Sequence, residues 1–138
     1  YITGKSSYSS FLENKFPENV YVVPYVDSLS SLMKDIDIIV SRAGASSVAE
    51  IEALRIPAIF IPSPYVANNH QYYNALSIVN SKAGFMIEEK NLNASILNKY
   101  IDELLNDENL VEEMKKNLSK LSLDNSSTII YEEIKKMI

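Results

Sequence analysis

The sequence predicts an α/β fold: a mostly parallel sheet with flanking helices and a helical carboxyl-terminal tail. Apolar β-branched runs alternate with helical patterns, as βαβ units require. One of those runs is apolar on both faces, which marks a buried parallel strand. In the last third of the chain, apolar residues recur every three or four positions, the period of a helix packed on one side.

Taken in order, residues 1–3 read as a strand stub running into a turn at Gly4. No methionine precedes them, so the chain is expected to be part of something longer. Ser6 to Ser10 is polar and expected to be mobile. Residues 19–23 form the first full strand, and Asp27 is placed to cap a helix over 28–35. Residues 36–41 follow as a strand carrying Ile36, Ile38, Ile39 and Val40, and this one belongs in the middle of the sheet. Ser47 and Glu50 then show the S-x-x-E spacing of a capping box at a helix start. Residues 57–61 make the next strand, and Pro62-Ser63-Pro64 stiffens the loop beyond it. Asn68 or Asn69 can cap a helix reaching Lys82, and residues 84–88 close the sheet. Leu97, Ile101 and Leu104 define one helix of the tail, and Leu110, Met114, Leu118 and Leu121 define another. Their joint falls at Asp107 to Asn109. A last helix over 127–137 is expected to bury Ile130, Ile134 and Met137.

The chain of 138 residues, 46% apolar, suits one domain with a single core. Its net charge of −5 repels polyphosphate backbones and anionic lipid surfaces, so nucleic acid is not an expected partner. With no cysteine and one histidine, neither a disulfide framework, a thiolate zinc site nor a multi-histidine metal site is available, and a reducing compartment is the default. No apolar run approaches the roughly 20 residues of a membrane-spanning helix.

The segment from Ser41-Arg42-Ala43-Gly44-Ala45 to Glu50 carries most of the chemistry. It places a small, Gly-containing turn at the carboxyl end of a strand and opens a helix directly after it. Ligands of open parallel sheets sit at that edge, and unpaired N–H groups at a helix start favour a phosphate. An ordinary βα turn, with Ser47 and Glu50 capping each other, fits the same spacing. Other phosphate loops fail: Gly4-Lys5-Ser6 lacks the first glycine of a P-loop, and three glycines forty residues apart form no G-x-G-x-x-G. From Pro62 to Asn74 a second cluster gathers Asn68, Asn69, His70, Gln71 and Asn74 beyond another strand. Neutral amides suit sugar hydroxyls, which both donate and accept, although a polar cap on a surface helix uses the same residues. His70 reads as a surface or capping residue. At the third point, Tyr25 could lie against a planar base while the backbone of Val26 pairs with it; a core-flanking aromatic is the plainer reading. All three segments fall at one edge of the sheet, which points to a nucleotide-type site.

These residues resemble the carboxyl-terminal domain of the MurG family of GT-B glycosyltransferases. The similarity runs through Thr3-Gly4-Lys5, Tyr25-Val26-Asp27, Ser41 to Glu50, and Ile61 to Gln71 with Asn74-Ala75. It implies a Rossmann-like domain, the carboxyl-terminal half of a GT-B enzyme, spanning residues 1–138. It also implies an inverting transfer of N-acetylglucosamine from UDP-N-acetylglucosamine to a lipid-linked muramoyl-pentapeptide, with no cofactor or metal. Position by position, Val26 would meet the uracil with Tyr25 beside it. Ala45, Ser46 and Ser47 would hold the diphosphate, Glu50 the ribose hydroxyls and Gln71 the sugar, with Asn74 nearby. Arg42 would balance phosphate charge or form a structural ion pair.

No catalytic residue is assigned within these residues. The family's acceptor-binding domain and first strand would lie upstream, which makes the chain by itself inactive. Such an enzyme sits peripherally on the cytoplasmic face of the cell membrane. Without the first strand, the stub at Tyr1 is expected to be displaced, or residues 36–41 to pair unusually, or a dimer to complete the sheet. Another UDP-sugar GT-B enzyme, such as a lipid glucosyltransferase or an epimerase, and a noncatalytic α/β interaction module remain open alternatives.

Overall fold

A computed structural model describes residues 1–122 and 126–137. The chain divides into two compact units, Tyr1–Asp35 and Ile36–Ile138.

In the first unit Ile2 and Val23 form a parallel bridge, with Thr3 N–H donating to Val23 O at 3.0 Å and Val23 N–H to Tyr1 O at 2.9 Å. The expected strand over 19–23 shrinks to this one bridge. Pro17 explains the loss: its carbonyl accepts from Val20 N–H, turning the chain through Glu18 and Asn19 and leaving Tyr21 exposed. The stub is therefore paired with Val23. Helix α1 spans Tyr8–Leu12, and its Phe11 ring lies 5.1 Å from that of Tyr1. Helix α2 spans Leu29–Met33 and is capped by Ser28, whose hydroxyl accepts from Ser31 N–H. Asp27 was the expected cap, but the helix starts one residue later than that role requires.

The second unit holds a parallel three-stranded sheet in the order β1 (Ile39–Ser41), β2 (Ala58–Phe60), β3 (Phe85–Met86). The predicted strands at 36–41, 57–61 and 84–88 are all present and shorter, although backbone bonds reach further. Ile39 N–H donates to Pro57 O, Ile61 N–H to Ser41 O and Ile87 N–H to Phe60 O. The central strand differs from expectation. Among the described residues β1 pairs on one side only, with β2, and Val40 is 43% exposed. Ala58, Ile59 and Phe60 are each fully buried, so the middle of the sheet belongs to β2. Apolar side chains on both faces of a run report two covered faces and leave its edges undetermined. The pairing of β1 with β2 is the ordinary one for such a sheet.

Helix α3 (Ala45–Leu54) crosses from β1 to β2, and α4 (His70–Asn80) crosses from β2 to β3. Gly84 allows α4 to lie close: a Cβ there would stand 3.0 Å from Ala58 O and 3.1 Å from the Ile78 side chain. Helices α5 (Ala94–Asn106) and α6 (Glu108–Leu121) match the apolar period closely. Asn93 caps α5 through Ile96 N–H. Asp107, at the predicted joint, caps α6 through Leu110 N–H at 3.0 Å. Ile59, Ile87, Leu104 and Met114 form a core cluster between sheet and tail.

Helix α7 covers Ser126–Lys135. Its expected burial fails, because Ile130, Ile134 and Met137 are 59%, 51% and 85% exposed. Helical periodicity marks an apolar stripe without supplying a surface to cover it.

Candidate functional site

The carboxyl ends of β1 and β2 carry the predicted site residues of the second unit. After Ser41 the chain turns through Arg42, Ala43 and Gly44, and α3 begins at Ala45 with Gly44 as its N-cap residue. Gly44 has no side chain to offer, and no side chain caps this helix. Val48 N–H donates to Gly44 O, while the N–H groups of Ala45, Ser46 and Ser47 take no hydrogen bond among the described residues. Ala45 and Ser46 are exposed and Ser47 is half-buried.

The predicted capping box does not form. With the helix starting at Ala45, Ser47 is its third residue, not its cap, and Glu50 stands beyond the capping position. Glu50 is half-buried and lies one turn after Ser46 and Ser47 on the same side of the helix. Three free donors at a helix start, with the positive end of the macrodipole behind them, make an anion-ready surface.

Gln71 and Asn74 reach this edge from the first turn and a half of α4. The Asn74 amide donates to Ala43 O at 3.0 Å, fixing the turn that feeds α3. Gln71 Oε1 accepts from Ser63 N–H at 2.9 Å, holding the Pro62-Ser63-Pro64 loop and leaving its Nε2 as a donor. Asn68 and Asn69 occupy the left-handed region in succession, with φ 53° and 52°, and this bend brings α4 into place. Asn tolerates that region better than most residues. Asn69 sits at the N-cap position but makes no capping bond, contrary to expectation. His70 is exposed at the start of α4.

Arg42 forms an ion pair. Its Nη1 pairs with the Glu89 carboxylate and donates to Ile61 O at 3.1 Å. Glu89 was not among the predicted site residues, although it follows the third strand at the edge where the other loops converge.

In the first unit Tyr25 is 60% exposed, with the Lys5 ammonium 5.3 Å from its ring centroid. Val26 is half-buried, and its backbone makes no hydrogen bond among the described residues. Both are thus available to a ligand.

Two cavities lie beside the candidate surface. One of about 500 Å³ is formed by the end of β3 and the start of α5, including Met86, Asn93 and Tyr100. The other, about 270 Å³, has Pro62, Asn69, Tyr72 and Glu89 among its walls. Neither is lined by residues from the start of α3. Among the described residues no three acidic or histidine side chains gather into a metal-holding group, and no helix is long and apolar enough to cross a membrane. Glu52, on α3, has its carboxyl pushed above the usual range by burial.

The second unit is thus a parallel α/β unit whose carboxyl edge carries an uncapped helix start. The chain belongs to the glycosyltransferase family 28 C-terminal domain family, whose model matches residues 1–128. It is 37% identical, over its whole length, to the UDP-N-acetylglucosamine–N-acetylmuramyl-(pentapeptide) pyrophosphoryl-undecaprenol N-acetylglucosamine transferase 2 of Bacillus thuringiensis (strain Al Hakam). A transferase of the same name from Acetivibrio thermocellus is 40% identical over 98% of the chain. The chain spans 39% and 37% of the lengths of these two relatives.

Solved structures agree on the fold. Acinetobacter baumannii MurG superposes with a TM-score of 0.83 at 23% identity, covering 98% of this chain and 40% of that one. Spinosyn forosaminyltransferase SpnP gives 0.74 at 15% identity, covering 90% and 32%. The expected fold, the carboxyl-terminal half of a GT-B glycosyltransferase, is the one observed.

Proposed function

We propose that this chain is the donor-binding part of an inverting transferase that moves N-acetylglucosamine from UDP-N-acetylglucosamine to a lipid-linked muramoyl-pentapeptide. The observation that carries the reading is the start of α3, exposed and uncapped at the carboxyl edge of the sheet. Identity of 37% to a transferase named for that sugar supports the choice of donor.

In this reading the amides of Ala45, Ser46 and Ser47 hold the diphosphate. As the bond from the sugar to UDP breaks, charge builds on the departing phosphate, and donors already aimed at it stabilise that charge without reorganising. Glu50 accepts from the two ribose hydroxyls. Val26 orients the uracil through its backbone, with Tyr25 against it. The free Nε2 of Gln71 donates to a sugar hydroxyl, and Asn74 supports the same region. An acceptor-binding half outside these residues supplies the lipid-linked acceptor, the base and the approach to the cytoplasmic face of the membrane. Residues 1–138 then act as one donor domain that does not turn over by itself. The edge of β1 that is unpaired among the described residues would let a second copy complete the sheet.

Calorimetric titration of the chain with UDP-N-acetylglucosamine and with UDP-glucose tests the reading. Binding of the first, with clearly weaker binding of the second, is expected. Equal affinity for both would contradict the choice of sugar, and no binding of either would contradict the donor site.

A further inference from the structure

We infer that Arg42 and Glu89 are positioning residues for the diphosphate, acting through the turn before α3 without touching the donor. The inference rests on the donor site proposed above and names what holds that site in shape.

One guanidinium joins the loops leaving all three strands. Arg42 is the first residue after β1, Ile61 follows β2 directly, and Glu89 lies three residues past β3. Arg42 Nη1 meets both the Ile61 carbonyl and the Glu89 carboxylate. At the next residue of the same turn, Asn74 of α4 donates to Ala43 O. The turn is therefore held at two successive residues just before the helix start.

That pinning bears on where those amides point. Gly44 brings no side chain, and no side-chain cap adds to the backbone bond from Val48 N–H to Gly44 O. The direction of the Ala45, Ser46 and Ser47 N–H groups follows from where Arg42 and Ala43 are held. Misplacing donors by a fraction of an ångström weakens an oriented site far more than it weakens the fold. The Arg42 and Glu89 side chains are 53% and 29% exposed, and pairs so exposed to solvent add little to overall stability. Their geometry is the more consequential contribution.

Removing Glu89 gives opposite signs for the two roles Arg42 can play. If Arg42 is a phosphate ligand held back by Glu89, the Glu89→Ala variant frees it and tightens UDP. Simple charge repulsion predicts the same direction, since a carboxylate near a dianion is deleted. If the pair is a brace for the turn, the variant binds UDP more weakly in spite of that electrostatic gain.

The experiment measures UDP and uridine affinities by NMR titration of the isotope-labelled chain, as wild type, Glu89→Ala and Glu89→Gln. Expected is a loss of about fivefold for UDP in Glu89→Ala, a smaller loss in Glu89→Gln, which keeps an acceptor for Arg42, and uridine unchanged within about twofold. The unliganded Glu89→Ala spectrum should show shifted Ala45, Ser46 and Ser47 amides with an unchanged melting temperature. UDP binding that is unchanged or tighter overturns the brace. Parallel losses for UDP and uridine with a lowered melting temperature also overturn it, by showing a general loosening. A wild-type chain that ignores UDP removes the donor site itself, and the brace with it.

Discussion

Replacing Ala45 with proline separates the helix from its proposed ligand. Proline suits the first position of a helix, where the missing N–H has no intrahelical partner and φ near −65° is already helical. The residue before a proline must be extended, and Gly44 is, with φ −65° and ψ 148°. Ala45 is exposed, so the ring has room, and its N–H takes no hydrogen bond within the described residues. Folding is thus expected to be neutral or slightly favoured, since proline also restricts the unfolded chain. Binding is not. A hydrogen bond to a charged group contributes about 1.5–3 kcal/mol, so loss of one amide from the diphosphate should weaken UDP about ten- to a hundredfold. Calorimetry with UDP reads the affinity, and circular dichroism on heating reads the fold. Unchanged UDP affinity in a variant that melts like wild type would refute the claim that this helix start holds phosphate.

Three further outcomes follow from the same geometry. Glu50→Ala should weaken UDP about tenfold while leaving 2′,3′-dideoxyuridine diphosphate unaffected, because only the first has ribose hydroxyls to lose; equal losses would remove Glu50 from the ribose. Gly84→Ala should destabilise the fold by about 1–3 kcal/mol in urea denaturation, since the added carbon meets Ala58 O at 3.0 Å and Ile78 at 3.1 Å; an unshifted midpoint would contradict the close packing of α4 on β2. For Glu52, burial raises the folded-state pKa, so the folded chain holds that proton more tightly than the unfolded one. Stability from this group is gained as pH falls through the folded value and is lost as pH rises. Glu52→Gln should accordingly raise the melting temperature at neutral pH and leave it unchanged well below the ordinary glutamate pKa.

Helix starts were more legible in the sequence than sheet order. Ala45, Gln71 and Asn74 were placed correctly at the carboxyl edge because helix starts after strands are local features, written in a few consecutive residues. The central strand was misassigned because Ile36 to Val40 reveals covered faces, whereas sheet order depends on pairings between residues about 20 apart. The capping box was misread for a related reason: Ser47 and Glu50 have the right spacing, yet the helix had already begun at Ala45. In α7 the apolar period was real, but Ile130, Ile134 and Met137 remain exposed. The Glu89 contact was missed since its partner, Arg42, lies 47 residues earlier. The Gln71 contact with Ser63 and the Asn74 contact with Ala43 likewise join separate loops, and no spacing rule within one segment reports them.

Backbone amide shifts on adding UDP-N-acetylglucosamine to the isotope-labelled chain are the most direct measurement of where the diphosphate goes. The largest changes should fall on Ala45, Ser46 and Ser47, with a second group at Val26. Changes concentrated instead around Asn93 and Tyr100, in the cavity beside α5, would place the ligand elsewhere and contradict the donor site described for this chain.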